Sequence, residues 1–136
     1  MRVLLDTNII LDALQERQPF DIEAKEILKS AQDGKYSIMF TANAAADIFY
    51  LYRKARDIKS AIIALDFLLA NYRVVSVTHE DCVAALSFPF EDFEDSLAVI
   101  CAQKTNVDYI ISRDDEFLHT NSPVKIITPR ELVDMI

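Results

Sequence analysis

Four widely separated aspartates, Asp6, Asp92, Asp95 and Asp114, lie close to where predicted strands end or predicted helices begin, and a fifth, Asp47, lies within a predicted helix. Asp6 directly follows one short apolar run, and Asp114 comes shortly after another. Asp92 and Asp95 open a helical segment, whereas Asp47 interrupts an otherwise apolar one. Taken singly, each acid could cap a helix or belong to a solvated loop. Taken together, they predict one shared site.

Clustered carboxylates favour a hard divalent cation. Two carboxylates about 5 Å apart repel each other by roughly 3 kcal/mol at an effective dielectric near 20, so four around one cavity need protons or cations. Mg²⁺ typically takes one or two carboxylates together with waters and substrate phosphates. Bound Mg²⁺ or Mn²⁺ lowers the pKa of a water and neutralises charge on phosphate oxygens, which suits phosphodiester hydrolysis. His79 and His119 are the only histidines, so little histidine chemistry is available.

Short apolar strands alternate with longer helical patterns, and these elements must position the acids. We predict strands at residues 2–5, 36–40, 73–77, 109–112 and 124–128, and helices at 7–14, 21–33, 59–71, 79–86, 92–104 and 129–136, with a further helix ending near 56 that Thr41 or Asn43 caps. Strands separated by helices predict an α/β fold with a mainly parallel sheet of four or five strands, covered on both faces. Ligands of such sheets bind beyond the carboxyl ends of the strands, the edge on which the acids converge. We expect one domain over residues 1–136.

Composition excludes several classes of protein. The single glycine, Gly34, excludes the glycine-rich phosphate loops of Walker-type and Rossmann proteins. Cys82 and Cys101 lack metal-ligand spacing, so we expect free core thiols and no structural zinc. The net charge of −8 argues against a basic nucleic-acid coat protein. No apolar run approaches the roughly 20 residues that span a membrane, and no signal peptide opens the sequence, so we expect a cytoplasmic location.

Three segments resemble the PIN domain family in their order and spacing. Residues 3–12, VLLDTNIILD, resemble the opening of that domain; residues 92–98, DFEDSLA, resemble its D-x-x-D-A-L helix; residues 109–117, YIISRDDEF, resemble its T/S-x-D/N-x-x-F motif. The resemblance implies a three-layer α/β/α sandwich and a ribonuclease that depends on Mg²⁺ or Mn²⁺. Many small members are VapC-type toxins, each paired with an antitoxin protein that blocks the site.

The resemblance also assigns roles to individual residues. The four positions of the acidic quartet, catalytic and metal-binding in the family, are filled here by Asp6, Asp47, Asp95 and Asp114. Asp47 stands where many members have glutamate, so the shorter side chain implies a metal contact through water. Asp92 is an auxiliary acid. Asn8 and Ser112 fill polar positions that fix the acids by hydrogen bonds.

Residues outside the acids suggest contacts with RNA and with other proteins. Arg113 lies beside Asp114, and Arg53 belongs to a basic group that follows Tyr50 and Tyr52, so both arginines are candidates for binding substrate phosphate. For Arg53, positive charge at a helix C-terminus is an alternative explanation. The apolar run at residues 62–69 predicts core packing, with an interface to a second copy of the chain or to an antitoxin as the alternative.

Two other functions remain open. A non-catalytic interaction module could retain the fold, and calorimetry would then find weak or no saturable binding of divalent cations. An aspartate-dependent phosphatase commonly carries D-x-D after its first strand, with the first aspartate as nucleophile. Here Asn8 replaces the second acid, so this function would need a phosphoaspartate at Asp6.

Overall fold

The computed structural model describes residues 1–88 and 90–136. Within them the elements in chain order are β1 (Arg2–Leu5), α1 (Thr7–Leu14), α2 (Asp21–Gln32), β2 (Ser37–Thr41), α3 (Ala42–Ala55), α4 (Ile58–Asn71), β3 (Arg73–Val75), α5 (His79–Ala85), α6 (Phe93–Lys104), β4 (Tyr109–Ile111), α7 (Asp115–Leu118), β5 (Ile126–Ile127) and α8 (Pro129–Met135).

The five strands form one sheet in the order β3-β2-β1-β4-β5, and every neighbouring pair is parallel. Leu4 of β1 is opposite Met39 of β2 and Ile110 of β4. β1 therefore lies at the centre of the sheet, with β2 and β4 on either side. This parallel sheet, flanked by helices, confirms the predicted α/β/α fold class.

Alternate residues of the strands pack into two separate cores, one on each face of the sheet. Val3 and Leu5 face a core that includes side chains from α1, α2, α3, α4 and α8. Leu4 and Ile110 face the other core, which includes side chains from α6 and Phe117 of α7. Because the side chains of a strand alternate between faces, an apolar strand such as β1 contributes to both cores. The continuous apolar runs of the sequence are explained by this burial.

Some element boundaries differ from the sequence-based expectations. Tyr36 precedes β2, and its buried hydroxyl donates a hydrogen bond to the carbonyl of Ile27, 2.7 Å away. β3 ends at Val75, since the chain then turns toward Thr78, which caps α5. β5 has only two residues. The four-residue helix α7 was not predicted; it begins after Asp114, whose carboxylate accepts a hydrogen bond from the Glu116 amide.

The apolar run on α4 is divided between core and surface. Leu68 is fully buried, whereas Ile58, Ile62 and Ile63 are 51%, 55% and 63% exposed. The prediction of core packing therefore holds for one side of the helix only. None of the helices in residues 1–88 and 90–136 combines the length and the apolar character that crossing a membrane requires.

Candidate metal centre

Asp6, Ser112 and Asp114 meet where the two central strands β1 and β4 end. The Asp6 amide donates to the carbonyl of Ile111, which keeps the two strands paired as far as this edge. The Ser112 hydroxyl donates to Asp6 Oδ2 at 2.8 Å and accepts a hydrogen bond from the Asp114 amide at 3.1 Å. The other Asp6 oxygen, Oδ1, accepts from the Thr7 amide at 2.9 Å. The buried Ser112 hydroxyl thus links Asp6, directly after β1, to Asp114 in the loop after β4.

The start of α6 brings three further acids to the same edge. Asp92 caps this helix, with its Oδ1 accepting from the amides of Glu94 at 2.9 Å and Asp95 at 3.4 Å. Glu94 shares a hydrogen bond with Asp47 of α3, so the helices on opposite faces of the sheet approach each other here.

The pKa values of these acids show that they share one electrostatic environment. Burial, and after it the charges of Asp92, Asp6 and Asp114 in that order, together raise the pKa of Asp95 to about 7. The pKa of Asp6 is also raised, chiefly by burial, although the hydrogen bonds from Ser112 and Thr7 oppose the shift. The pKa of Glu94 is raised by burial and then by the charge of Asp47. The acids are therefore close enough to disfavour one another's ionisation.

Among the described residues, no basic side chain forms an ion pair with these acids, although the charge of Arg113 acts on Asp6 and Asp114 from a greater distance. Among the ion pairs of residues 1–88 and 90–136, none involves any of the six acids Asp6, Asp47, Asp92, Glu94, Asp95 and Asp114. Within the same residues, no group of three or more acidic, histidine or cysteine side chains is arranged as a ready-made metal shell. A cation held by these acids would therefore complete its coordination with waters and substrate oxygens, as Mg²⁺ commonly does.

A small cavity beside Asp6 supports the fit of a cation or its water. It has a volume of about 20 Å³, and its lining includes Asp6, Thr41, Asn43 and Glu94. A cavity of this size holds about one water. The side-chain oxygen of Asn43 is buried, and it has no hydrogen-bond partner among the described residues. A buried polar oxygen without a partner costs about 1–3 kcal/mol, so Asn43 together with the carboxylates offers the oxygen donors that Mg²⁺ or Mn²⁺ prefers.

Arg113, expected to bind substrate phosphate, is paired with an acid that the sequence analysis did not single out. Its Nε and Nη2 donate to the two carboxylate oxygens of Asp12 at 2.7 and 3.1 Å. Asp12 lies on α1 and is 1% exposed, whereas the Arg113 side chain is 30% exposed. The guanidinium also stacks on the Phe20 ring, with its central carbon 4.0 Å from the ring centroid. Arg113 thus fastens the loop after β4 to α1.

Among the described residues, Asn8 and Arg53 make no hydrogen bond to the acids of the site, so the expectation that Asn8 fixes an acid by a hydrogen bond has no contact to support it. Asn8 is exposed, and its Oδ1 accepts a hydrogen bond from Arg17 Nη1 at 3.3 Å. Arg53 is exposed in the last turn of α3, about 9 Å along the helix axis from Asp47. In the part of the chain that the structure describes, Arg53 has no ion pair or side-chain hydrogen bond, so its charge is available to a phosphate.

Three residues of this region were missed by the sequence analysis. Glu94 lies between Asp92 and Asp95, and its position in the first turn of a predicted helix could have identified it as a further acid of the site. Asn43 was considered only as a cap, a role that Thr41 fills by accepting from the Ala44 amide. Nothing in the sequence indicated that Asp12 would be buried against Arg113, because that contact joins positions 101 residues apart.

Comparisons with known proteins agree with this geometry. A family model described as PIN domain matches residues 2–116, which is most of the chain. No curated protein sequence matches significantly.

Several solved structures of bacterial toxin–antitoxin proteins share the fold. VapC20 of Mycobacterium tuberculosis, described as a Sarcin-Ricin loop cleaving toxin, superposes with a TM-score of 0.71 at 15% identity, over 88% of this chain and 95% of that chain. The DNA-bound VapBC of Salmonella typhimurium gives 0.72 at 10% identity, over 95% and 98%. VapBC-1 of nontypeable Haemophilus influenzae gives 0.68 at 16% identity, over 96% and 99%. At these identities the likeness is one of fold.

Proposed function

Because the chain belongs to the PIN domain family, we propose that it is a ribonuclease that requires Mg²⁺ or Mn²⁺ and hydrolyses RNA phosphodiester bonds. The observation that carries this proposal is the meeting of Asp6, Asp95 and Asp114 at the carboxyl edge of the sheet, where burial together with the charges of the neighbouring acids raises the pKa of Asp95 to about 7. The proposal takes residues 1–136 as one catalytic domain.

Asp6, Asp95 and Asp114 are proposed as the principal cation ligands, with Asp47 acting through water or through Glu94. Ser112 holds Asp6 and Asp114 in a fixed relation, since its hydroxyl bonds to both residues. Asp92 orients the first turn of α6 and adds negative charge beside Asp95. A bound divalent cation would lower the pKa of a water and screen the phosphate oxygens. A bound cation would also favour the ionised form of Asp95, whose pKa is raised to about 7.

Cleavage of single-stranded RNA tests this proposal. We expect cleavage with Mg²⁺ or Mn²⁺ and none with EDTA. Asp6→Asn and Asp95→Asn should each lower the rate by at least about a hundredfold, because they remove charged oxygen ligands. Asp66→Asn is the matched control, since Asp66 is an exposed acid on α4. Cleavage that persists in EDTA and in both variants, with circular dichroism showing folded proteins, would contradict the proposal.

We further propose that the protein is the toxin of a toxin–antitoxin pair, that it acts in the cytoplasm and that it forms a homodimer. Structures of similar fold are described as VapBC complexes and as a toxin–antitoxin complex. The exposed isoleucines of α4 support a protein interface, because contiguous exposed apolar side chains commonly mark one. A monomer mass in sedimentation equilibrium, unchanged by Ile62→Glu, would count against the homodimer.

A further inference from the structure

A cleft of about 490 Å³ adjoins the candidate metal centre. The described residues that line it are Phe90, Glu91, Asp92, Asp95, Glu116, His119, Thr120 and Asn121. Asp92 and Asp95 belong to both the cleft and the metal centre, so a ligand in the cleft would lie next to the bond that the acids act on. A volume of several hundred Å³ suits a small organic ligand.

The hydrogen bonds already made by two lining residues leave their free groups as acceptors. His119 Nδ1 lies 2.7 Å from the carbonyl of Asp115. A carbonyl only accepts, so Nδ1 donates in this contact, and in the imidazole tautomer with its proton on Nδ1 the other nitrogen, Nε2, is an acceptor. The Thr120 hydroxyl donates its proton to the carbonyl of Phe117 at 2.7 Å, and only its lone pairs remain.

The other polar groups of the cleft are also mostly acceptors. Glu91 and Glu116 are exposed, and an ionised carboxylate only accepts. Asn121 is the exception, because its amide carries two donors as well as one acceptor. The ring of Phe90 stacks on that of Phe88, with the centroids 5.4 Å apart, so a planar ligand in the cleft would stack on the other face of Phe90, as bases do on aromatic side chains in single-stranded RNA complexes. The cleft therefore favours a planar ligand with an edge rich in donors.

We propose that this cleft binds the nucleobase next to the scissile phosphate and selects guanine. Guanine carries adjacent N1–H and N2–H₂ donors, which match the two oxygens of one carboxylate, and an O6 acceptor for an amide donor. Glu116 is the partner of the two donors, Asn121 of O6, and Phe90 stacks on the ring. Uracil offers one donor between two acceptors, and adenine and cytosine each offer one exocyclic amine, so each leaves carboxylate oxygens unmatched.

This inference rests on the proposed function, because it names a substrate subsite, but base binding can be measured without cleavage. Isotope-labelled full-length protein with Ca²⁺ is titrated with GMP, IMP, UMP or N-acetylarginine amide, and the amide resonances of Thr120 and Asn121 are followed. IMP differs from GMP only in lacking the N2 amine. We expect half-saturation by GMP at a concentration about tenfold lower than by IMP or UMP, since one matched bidentate contact discriminates by about that factor or more.

Two matched variants assign the selectivity to the cleft. Glu116→Gln should abolish the preference for GMP over IMP, whereas Glu80→Gln, an exposed glutamate of α5 outside the cleft, should keep it. Equal binding of all three nucleotides, equal response to the arginine compound, or an unchanged preference in Glu116→Gln would overturn the proposal. An arginine response stronger than that of GMP would instead identify the cleft as a site for a basic protein segment.

The cleavage assay separates this inference from the proposed function. Single-stranded RNA with one guanosine is compared with the same strand carrying inosine or uridine at that position, and the substitution should raise KM and move the cut. Guanine-selective binding without any cleavage would support the subsite and contradict the nuclease. Metal-dependent cleavage with no dependence on the base would support the nuclease and overturn the subsite.

Discussion

At the residue scale, the acids of the carboxyl edge are brought together in two different ways. Asp6 and Asp114 follow apolar strands, and the carboxyl ends of parallel strands share one edge, so their meeting followed from local pattern. The contact between Glu94 and Asp47 depends on how two helices approach across the sheet edge. No local pattern encodes that approach.

The ion pair between Arg113 and Asp12 leads to a prediction about the stability of the protein. Removing one side of a buried pair is costly when the remaining charge stays buried. Asp12 is fully buried and Arg113 is partly exposed, but Arg17 Nη1 also lies 3.8 Å from Asp12 Oδ1, so Arg113→Met should lower the free energy of unfolding by about 2 kcal/mol. Asp12→Asn should cost less, because Arg113 can turn toward solvent. Urea unfolding measures both.

The double variant Asp12→Leu/Arg113→Met serves as the control for that prediction. It should recover part of the loss, since it leaves no unpaired buried charge. An Arg113→Met protein with normal stability but weakened RNA binding would contradict this interpretation and would restore Arg113 to the role of a phosphate ligand.

At the element scale, helices with clear caps were predicted well and short elements were not. Thr78 and Thr128 each accept a hydrogen bond from the backbone amide three residues on and form capping boxes at the starts of α5 and α8. α7 has four residues and β5 has two, too few for a periodic pattern to appear. Their position comes from packing of Phe117 and pairing with β4, which are tertiary contacts.

Lys104, at the end of α6, joins that helix to α5 and to the loop after β3. Its Nζ donates to Asp81 Oδ2 at 2.6 Å and to the Ser76 carbonyl at 2.7 Å. Lys104→Met should destabilise the protein by about 1–2 kcal/mol at pH 7, because hydrogen bonds between charged groups are worth that much. Lys29→Met is the control, since its pair with Asp33 is exposed and should contribute under about 0.5 kcal/mol.

The cost of Lys104→Met should also depend on pH. The hydrogen bond from Lys104 holds the pKa of Asp81 below its usual value of 3.8. A lowered pKa means that the stabilisation is present above the unfolded value and is lost as pH falls through the folded one. Unfolding measured at pH 7 and below pH 3 should therefore show a smaller difference between Lys104→Met and the unchanged protein at the lower pH. Equal differences at both would contradict it.

At the scale of the whole molecule, the fold class could be predicted from the sequence, but the order of the strands in the sheet could not. The alternation of strands and helices predicted a mainly parallel sheet. The positions of the acids predicted that they lie together at one edge of that sheet. The order β3-β2-β1-β4-β5 depends on which apolar faces pack together, and hydropathy along the chain does not distinguish those choices. The division of α4 between core and surface has the same origin.

The acidic edge should make the metal-free protein less stable as pH rises. Asp95 has a pKa of about 7 when folded and an ordinary value of 3.8, so between these values the folded state binds more protons and stability falls with increasing pH. Solvent screening limits the loss to about 2 kcal/mol. Thermal unfolding in EDTA should give a higher Tm at pH 5.5 than at pH 8.

Asp95→Asn is the diagnostic variant for this pH dependence. It should remove most of the difference in Tm and stabilise the metal-free protein at pH 8. Mn²⁺ should stabilise the unchanged protein more at pH 8 than at pH 5.5, because binding requires ionised carboxylates. A metal-free protein whose Tm rises with pH over this range, in both forms, would be inconsistent with the raised pKa.

Anomalous diffraction from crystals soaked in Mn²⁺ would test most directly whether the acids at the carboxyl edge form one cation site. We expect a strong peak within coordination distance of Asp6 and of Asp95 or Asp114, and its loss in Asp95→Asn crystals. No peak there, at a Mn²⁺ concentration that supports cleavage, or Mn²⁺ bound only at other surface acids, would contradict the central claim.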